Sequence, residues 1–489
     1  MEAVLPPSNQ PAESLRSRIR SAVIWRSGSQ ILAQLVQWAA TFAVIRILQP
    51  ADYGLYAMTG VVLGLLNLLN GYSLASGLIR QPTVTRREIR QLFGMLLLLN
   101  ATLAALQFAA APLVASYYRQ DTVTTMLRVQ CLLYLATPFI ALPYALLARE
   151  MDFMAQARVN IAASVASAGT ALGGALAGWG VWTLVAAPLV LFGTRAVGMT
   201  IAARSLVWPL FAFRGAGQFA RYGGVMAAGQ LFWFAQAQAD VVIAGRAFDA
   251  RDVGLYTTAL FLTQIFQNKV VPPLNEVAFT AYARLQDEPG AVGRAFVTSA
   301  GAIMAAALPV YLGIAATAEP LVRFALGDKW AGAAPVVRLL AGAMPFMTLY
   351  VLMPPASDAI GRPGIGVRAS MIGSVALPFA YLIGVRWGLT GLAWSWLAVY
   401  PPMLCVIATG VLPAIGVRPG QLLGAIAPAL KAAVAMALLV VLVGRALPPL
   451  GPGPRLASLA AIGAGLYAGW LLAFARPTVD SLVALVRRR

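Results

Sequence analysis

Apolar runs of about 20 residues follow one another through almost the whole chain, and each is long enough to form a helix that crosses a bilayer core about 30 Å thick. Inside the hydrocarbon, only helices and closed barrels satisfy their own backbone hydrogen bonds. Of the 489 residues, 60% are hydrophobic and 11% are charged, whereas soluble domains carry about 25% charged residues. The sequence therefore predicts an all-α polytopic membrane protein and excludes a soluble globule.

The boundaries of the apolar runs predict about fourteen transmembrane helices. Basic residues are concentrated in the connections on the side of the two termini, which the positive-inside rule assigns to the cytoplasm. The predicted organisation is a cytoplasmic segment at 1–21, two six-helix lobes at 22–214 and 215–412, two further helices at 413–475, and a basic cytoplasmic tail at 476–489.

A short segment recurs at an offset of 200 residues and supports the division into two pseudo-symmetric lobes. The matching positions are Arg46, Asp52, Gly54, Leu55 and Tyr56 with Arg246, Asp252, Gly254, Leu255 and Tyr256. Repeated lobes in transporters commonly enclose the substrate path. The alternative is an ordinary turn between two helices, built from an arginine, an aspartate cap and a glycine. We interpret the Arg246 to Tyr256 part of the repeat as chiefly architectural.

Asp240 lies deep in the predicted seventh helix, and Gln236 precedes it by four residues on the same face. A carboxylate at that depth costs about 2.5 to 3.5 kcal/mol on insertion scales, so it indicates a functional site. Neither residue has a polar counterpart 200 positions earlier. We predict that Asp240, with Gln236, binds a coupling proton or a cation such as Na+. The alternative is a buried ion pair with Lys269 or Arg195.

Polar side chains on several predicted helices indicate a substrate cavity. In the first helix they recur every three or four residues and form one stripe that must avoid lipid. The predicted cavity residues are Arg26, Gln30, Gln34, Asn67, Asn70, Arg195, Gln264, Asn268 and Lys269. Because arginine binds phosphate in a fork and lysine binds it as a point charge, this set suits an anionic head group. The alternatives are interhelical hydrogen bonding for each amide and an interfacial anchor for Arg26.

Several classes of chemistry lack their usual residues. The chain has no histidine and two cysteines, so the sequence predicts no metal site, and it contains no phosphate-binding glycine loop or HExxH motif. The net charge of +19 is spread in small groups between apolar runs, which does not indicate nucleic-acid binding. Short connections leave no room for an external catalytic domain. We therefore expect neither a cofactor nor an enzyme. Proline pairs at 272–273, 354–355 and 401–402 fit hinges and helix ends equally well.

Seven segments of the sequence together resemble those of one transporter family. They are IRILQPADYGLYAM (45–58), NGYSLASGLIRQ (70–81), LLAREMDFMAQAR (146–158), GVWTLVA (180–186), ADVVIAGRAFDARDVGLY (239–256), VAFTAYARLQDEP (277–289) and AEPLVRFALGDKWAGAAPVVRLLA (318–341). The chain resembles the polysaccharide flippases of the multidrug/oligosaccharidyl-lipid/polysaccharide superfamily, particularly the Wzx-type and colanic-acid-exporter-like branch.

The resemblance implies a fourteen-helix transporter of the bacterial inner membrane that moves undecaprenyl-diphosphate-linked oligosaccharides to the outer leaflet by alternating access. It implies a cavity lined by helices 1, 2, 7 and 8, an acid at Asp240, and membrane lipid and other polysaccharide-assembly proteins as partners. Asn70 departs from the pattern, since relatives often have an aspartate there. The alternatives are a multidrug or cation antiporter, disfavoured because the first lobe lacks a buried acid, and a membrane-embedded glycan polymerase or glycosyltransferase, disfavoured by the short connections.

Overall fold

The computed structural model describes residues 34–70, 84–150, 152–211, 234–448 and 450–474. Within these ranges the chain is helical and has no strand. Nine of the described helical runs are long and apolar enough to cross a membrane, among them Arg86–Tyr118 and Pro419–Ala446. The predicted all-α class is confirmed, and the chain is a multi-pass membrane protein. The count of fourteen helices and the cytoplasmic location of the termini stay predictions.

The chain forms two compact units, the first comprising Met1–Phe234 with Asp249–Arg251 and the second Ala235–Phe248 with Asp252–Arg489. The predicted lobe boundary at 214/215, the segment 1–21 and the tail 476–489 lie outside the described residues. The helices described in the first unit are α1 (34–47), α2 (Pro50–Asn67), α3 (Arg86–Tyr118), α4 (Thr122–Gln130), α5 (Leu132–Ala136), α6 (Pro138–Arg149), α7 (Phe153–Leu176) and α8 (Trp182–Ala202).

The second unit contains the remaining described helices. They are α9 (234–247), α10 (Ala250–Lys269), α11 (Val271–Arg284), α12 (Ala291–Ala316), α13 (Ala318–Ala325), α14 (Ala334–Leu352), α15 (Pro354–Ala359), α16 (Gly364–Gly384), α17 (Gly388–Ala414), α18 (Pro419–Ala446) and α19 (Pro452–Phe474). Two 3₁₀ turns, Asp328–Ala333 and Val385–Trp387, precede α14 and α17.

The recurring sequence segment has the same helix boundaries in both halves. Helix α1 ends at residue 47 and α2 begins at residue 50, and the corresponding boundaries of α9 and α10 fall 200 residues later. In the first copy, the backbone N–H of Gln49 donates to Asp52 Oδ2 at 2.9 Å, which caps the start of α2. In the second copy, Asp252 occupies the first turn of α10. The occurrence of aspartate in both copies is explained by its position, because a carboxylate stabilises a helix N-terminus.

Buried amides join the helices of the first unit. The side chain of Asn100 on α3 donates to the backbone oxygen of Asn70 at 3.0 Å, and Gln107 donates to the backbone oxygen of Leu127 at 2.7 Å. Gln130 donates to the hydroxyl of Thr59 at 3.3 Å. Such bonds satisfy groups that lipid would leave unpaired, and they hold neighbouring membrane helices together.

The three proline pairs differ in position. Pro272 and Pro273 lie in the first turn of α11, and Pro354 begins α15, so these two pairs mark helix starts. Proline is favoured in a first turn because the N–H it lacks would have no partner there. Pro401 and Pro402 instead lie inside α17, where two intrahelical hydrogen bonds are lost. That pair alone fits a hinge within a helix.

Helices α16 and α17 approach each other through small residues. A Cβ on Gly384 would collide with the Ser395 hydroxyl and the Gly391 carbonyl, and a Cβ on Gly391 would collide with the Gly384 carbonyl. The Ser395 hydroxyl donates to the Ala380 backbone oxygen at 2.9 Å, which fixes the register of the pair. Close approach at small residues is a common means of packing membrane helices.

We expect Gly391→Ala to destabilise the second unit by about 1 to 3 kcal/mol, because the added methyl group overpacks the α16–α17 contact. It would also lie 2.7 Å from the Trp387 Cβ. The measurement is the unfolding midpoint of the purified protein in detergent. Gly342→Ala on α14 is the matched control, since no atom lies within 4 Å of its added Cβ. Equal midpoints for the two variants would contradict the prediction.

Candidate functional site

Asp240 is buried at the centre of α9 within the second unit. Its side chain is 1% exposed, and that of Gln236, one turn earlier, is 8% exposed. One carboxylate oxygen, Oδ1, accepts a hydrogen bond from the backbone N–H of Val241 at 2.8 Å. The other, Oδ2, accepts from the hydroxyl of Tyr256 at 2.9 Å. Both carboxylate oxygens therefore have a donor inside the protein.

A second donor orients the tyrosine. The indole Nε1 of Trp396 on α17 donates to the Tyr256 hydroxyl oxygen at 2.8 Å. Because an indole N–H can only donate, the hydroxyl proton of Tyr256 is left to point at Asp240. Trp396, Tyr256 and Asp240 thus form a directed chain of hydrogen bonds that joins helices α17, α10 and α9.

Aromatic rings enclose this chain. Tyr400 stacks on Trp396 with ring centroids 5.2 Å apart, and Tyr350 meets Tyr400 edge to face at 6.2 Å. The ring of Tyr381 is tilted against that of Trp396, with ring centroids 6.2 Å apart. We call the five residues Tyr256, Tyr350, Tyr381, Trp396 and Tyr400 the aromatic cage. All five are buried, so the cage keeps Asp240 away from lipid and bulk water.

Two polar atoms in the same region have no hydrogen-bond partner in the described part of the chain. They are the Tyr381 hydroxyl, on a side chain with 0% exposure, and Oε1 of Gln236. The rest of the Gln236 amide lies within hydrogen-bonding range of the Tyr350 and Tyr400 hydroxyls. An unsatisfied buried group costs about 1 to 3 kcal/mol. The two atoms place further hydrogen-bonding groups in the region of Asp240.

No basic side chain of the described residues pairs with Asp240, whose contacts are the two hydrogen bonds above. Ion pairs do form elsewhere in the second unit, for example from Arg323 to Glu319 at 3.2 Å and to Asp328 at 3.8 Å. Lys269 is exposed at the end of α10. Within the described ranges, the alternative interpretation of Asp240 as half of a buried ion pair with Lys269 or Arg195 therefore finds no support. From the part of the chain that the structure describes, two hydrogen bonds stabilise the carboxyl group.

The predicted cavity residues of the first unit differ in their solvent exposure. Arg26 and Gln30 lie outside the described residues. Gln34 and Arg195 are half-buried, and Asn67 is exposed. Asn70 is buried, its side chain donates to that of Asn67, and its backbone carbonyl accepts from Asn100. The side-chain amide of Asn70 therefore bonds locally, and the contact with α3 is made by its backbone carbonyl.

The predicted cavity residues of the second unit lie along α10 without meeting Asp240. Gln264 is half-buried, whereas Asn268 and Lys269 are exposed. Gln267, between them, is buried, and its Oε1 accepts from the Thr348 hydroxyl at 3.0 Å. The assignment of these residues to a head-group cavity stays a prediction.

Tyr256 is the most informative residue that the sequence did not place at the site. The repeat predicts a chiefly architectural role for it, and the structure adds that its hydroxyl donates directly to Asp240. The signal was present in the repeat, because Tyr256 is the one hydroxyl-bearing side chain that recurs, at Tyr56. Trp396 and Tyr400 carry a weaker signal, since their spacing of four places both rings on one face of α17.

Comparison with known proteins identifies a protein family and several relatives. The model of a family described as "Polysaccharide biosynthesis protein" matches residues 43–335. The succinoglycan biosynthesis transport protein ExoT of Rhizobium meliloti is 25% identical over 354 residues, which cover 72% of each chain. The teichuronic acid biosynthesis protein TuaB of Bacillus subtilis is 21% identical over 67% of this chain and 68% of the relative. The lipopolysaccharide biosynthesis protein WzxC of Escherichia coli is 20% identical over 67% of each chain.

Solved structures with the same fold include two kinds of transporter. Lipid II flippase MurJ, in an inward closed conformation, matches with a TM-score of 0.75 at 10% identity, over 93% of this chain and 100% of that chain. An inward-facing multidrug resistance MATE family transporter matches with a TM-score of 0.60 at 15% identity, over 81% of this chain and 98% of that chain. These matches confirm the predicted fold of the superfamily that contains flippases and multidrug transporters. With the family model spanning more than half of its length, the chain belongs to the polysaccharide biosynthesis protein family.

Proposed function

We propose that this protein is a flippase that moves a lipid-linked oligosaccharide, the precursor of a cell-surface polysaccharide, across the membrane. The observation that carries the proposal is the family match over residues 43–335, a range that includes both Asp240 and Tyr256. Among the relatives, the Rhizobium meliloti protein is named a succinoglycan biosynthesis transport protein. The fold alone does not distinguish a glycolipid substrate from a drug, because flippase and multidrug transporter structures share it.

The proposed substrate is undecaprenyl-diphosphate-linked, and the proposed direction is from the cytoplasmic to the outer leaflet of the bacterial inner membrane, with both termini of the protein in the cytoplasm. A diphosphate suits the cationic residues Arg26, Arg195 and Lys269 as head-group contacts. The protein then acts as a transporter and makes or breaks no covalent bond. Other polysaccharide-assembly proteins are its proposed partners in the pathway.

Asp240 couples transport to an ion, and the proton is the coupling ion we propose. Hard cations require several oxygen ligands at once. Here each carboxylate oxygen already accepts from an N–H or O–H group, and among the described residues no group of three or more acidic, cysteine or histidine side chains gathers to hold a metal. A proton needs only one free lone pair on the carboxylate. Loading and release of that proton would change which hydrogen bonds join α9, α10 and α17.

In cells that depend on this gene, its deletion is expected to accumulate lipid-linked oligosaccharide on the cytoplasmic leaflet, because the carrier is still loaded but no longer crosses. The measurement is the accessibility of the lipid-linked glycan to a membrane-impermeant glycosidase, in inverted and in right-side-out vesicles. A plasmid copy of the gene should restore the wild-type distribution. Normal surface polysaccharide in the deletion strain would refute the proposed function.

Asp240→Asn should lower transport driven by an imposed proton gradient at least about 10-fold, since the amide cannot carry a proton. The measurement is flipping in proteoliposomes under a proton gradient, a sodium gradient and neither. Asp287→Asn, at an exposed connection, is the matched control with the same chemical change. Wild-type transport that follows the sodium gradient and ignores the proton gradient would assign the site to sodium.

Tyr256→Phe removes the hydroxyl that bonds Asp240 while it keeps the ring, so we expect impaired gradient-driven transport in a folded protein. Loss of one hydrogen bond to a charged group amounts to about 1.5 to 3 kcal/mol. The repeat supplies the control, because Tyr56→Phe makes the same change where no acid precedes it. If both variants transport equally well at every pH, the hydrogen bond from Tyr256 has no part in coupling.

A further inference from the structure

Four helix ends in the second unit surround a groove that the proposed transport mechanism does not use. The ends of α12 and α18 and the starts of α14 and α19 border it, together with α13, and its volume is about 490 Å³. Its walls are aliphatic for most of their length, with Leu312, Val440 and Leu459 among the lining residues. The charged residues that line the groove all lie near helix ends.

Three arginines line this groove: Arg338 at the start of α14, Arg445 at the end of α18 and Arg455 at the start of α19. Arg338 and Arg445 are exposed and form no hydrogen bond or ion pair within the described ranges. Glu319 is the one acidic lining residue, and it is already paired with Arg323 at 3.2 Å. The groove therefore carries uncompensated positive charge at its rim.

Arg455 is held in a position to bind an anion. Its Nη2 donates to the Gly444 backbone oxygen at 2.8 Å, which anchors the guanidinium to the end of α18. Its Nε is buried and has no acceptor among the described residues. A guanidinium offers five N–H donors in a fixed plane, so donors remain after the bond to Gly444. An oxygen-rich anion in the groove would supply the missing acceptor.

The apolar side of the groove faces lipid. Leu438 is 61% exposed, and Val441, one turn further along α18, is exposed too. In a membrane protein such side chains contact acyl chains, and arginines at the helix ends lie at head-group level. A molecule that fits both the arginine rim and the apolar side of the groove has a phosphate that binds the arginines and a hydrocarbon chain that packs along α18.

We propose that this groove binds an anionic phospholipid of the surrounding bilayer, with its phosphate among Arg338, Arg445 and Arg455 and one acyl chain along Leu438 and Val441. A bilayer phospholipid is the commonest lipid phosphate at a lipid-facing surface. Arginine side chains bind phosphate oxygens through paired N–H donors, so three arginines at one groove suit a phosphate head group. The bound lipid would hold α19 against α12, α14 and α18, since it contacts the ends of all four helices. The proposal is independent of the transported substrate.

The test uses the purified full-length chain in neutral detergent, with native mass spectrometry after addition of phosphatidylglycerol or phosphatidylcholine of identical acyl chains. We expect the wild type to retain phosphatidylglycerol preferentially. Arg338→Gln combined with Arg445→Gln should reduce that preference about 10- to 30-fold, because each basic side chain near the surface contributes to attraction of anionic lipid. Arg455 stays unchanged in this variant, so its bond to Gly444 is kept.

A charge-matched control is Arg362→Gln combined with Arg386→Gln, two exposed arginines of the same unit outside the groove. It should keep the wild-type preference, and phosphatidylglycerol should raise the unfolding midpoint of this control but not of the groove variant. An unchanged preference in the groove variant would overturn the proposal. Displacement of bound phosphatidylglycerol by an equimolar polyprenyl diphosphate would also overturn it, because the groove would then belong to the transported lipid.

Discussion

A carboxyl group buried among membrane helices, with no basic partner among the described residues, constrains everything around it. Hydrocarbon supplies no hydrogen-bond donors, so the protein must supply all of them. For Asp240 the donors are the backbone of its own helix and the hydroxyl of Tyr256, which Trp396 in turn orients. The three helices that carry these groups therefore have one relative arrangement in which the carboxyl group is satisfied.

That arrangement depends on how closely neighbouring helices approach. The contact of Gly384 with Gly391 places α16 beside α17 and thereby sets Tyr381 next to Trp396. Gly373 has a similar role for Gln236, because a Cβ at this glycine would lie 2.9 Å from the Gln236 amide. In a membrane, where apolar burial alone does not drive helices together, these small residues provide the space that polar contacts need.

The sequence predicts those features of the structure that arise within a single helix or at its ends. Apolar runs predict the all-α class, the repeat at offset 200 coincides with identical helix boundaries, and the cost of a charge in lipid singles out Asp240. The partners of Asp240 were not predictable in this way. Trp396 lies 140 residues from Tyr256 in the chain, and no periodicity shows which helix faces which. For the same reason the assignment of Asn268 and Lys269 to a cavity, made from their positions on one helix, stays a prediction.

The repeated tyrosine has a consequence for how such a site can arise. Both halves of the chain carry the phenol, at Tyr56 and Tyr256, but only the second carries the acid, since residue 40 is alanine. Two of the four alanine codons differ from an aspartate codon by one base. A duplicated transporter in which the hydrogen-bond donor already stands in both halves is therefore a single point mutation away from acquiring, losing or exchanging its buried acid. The asymmetry between the two halves is the kind of difference that drift alone can produce and that selection can then retain.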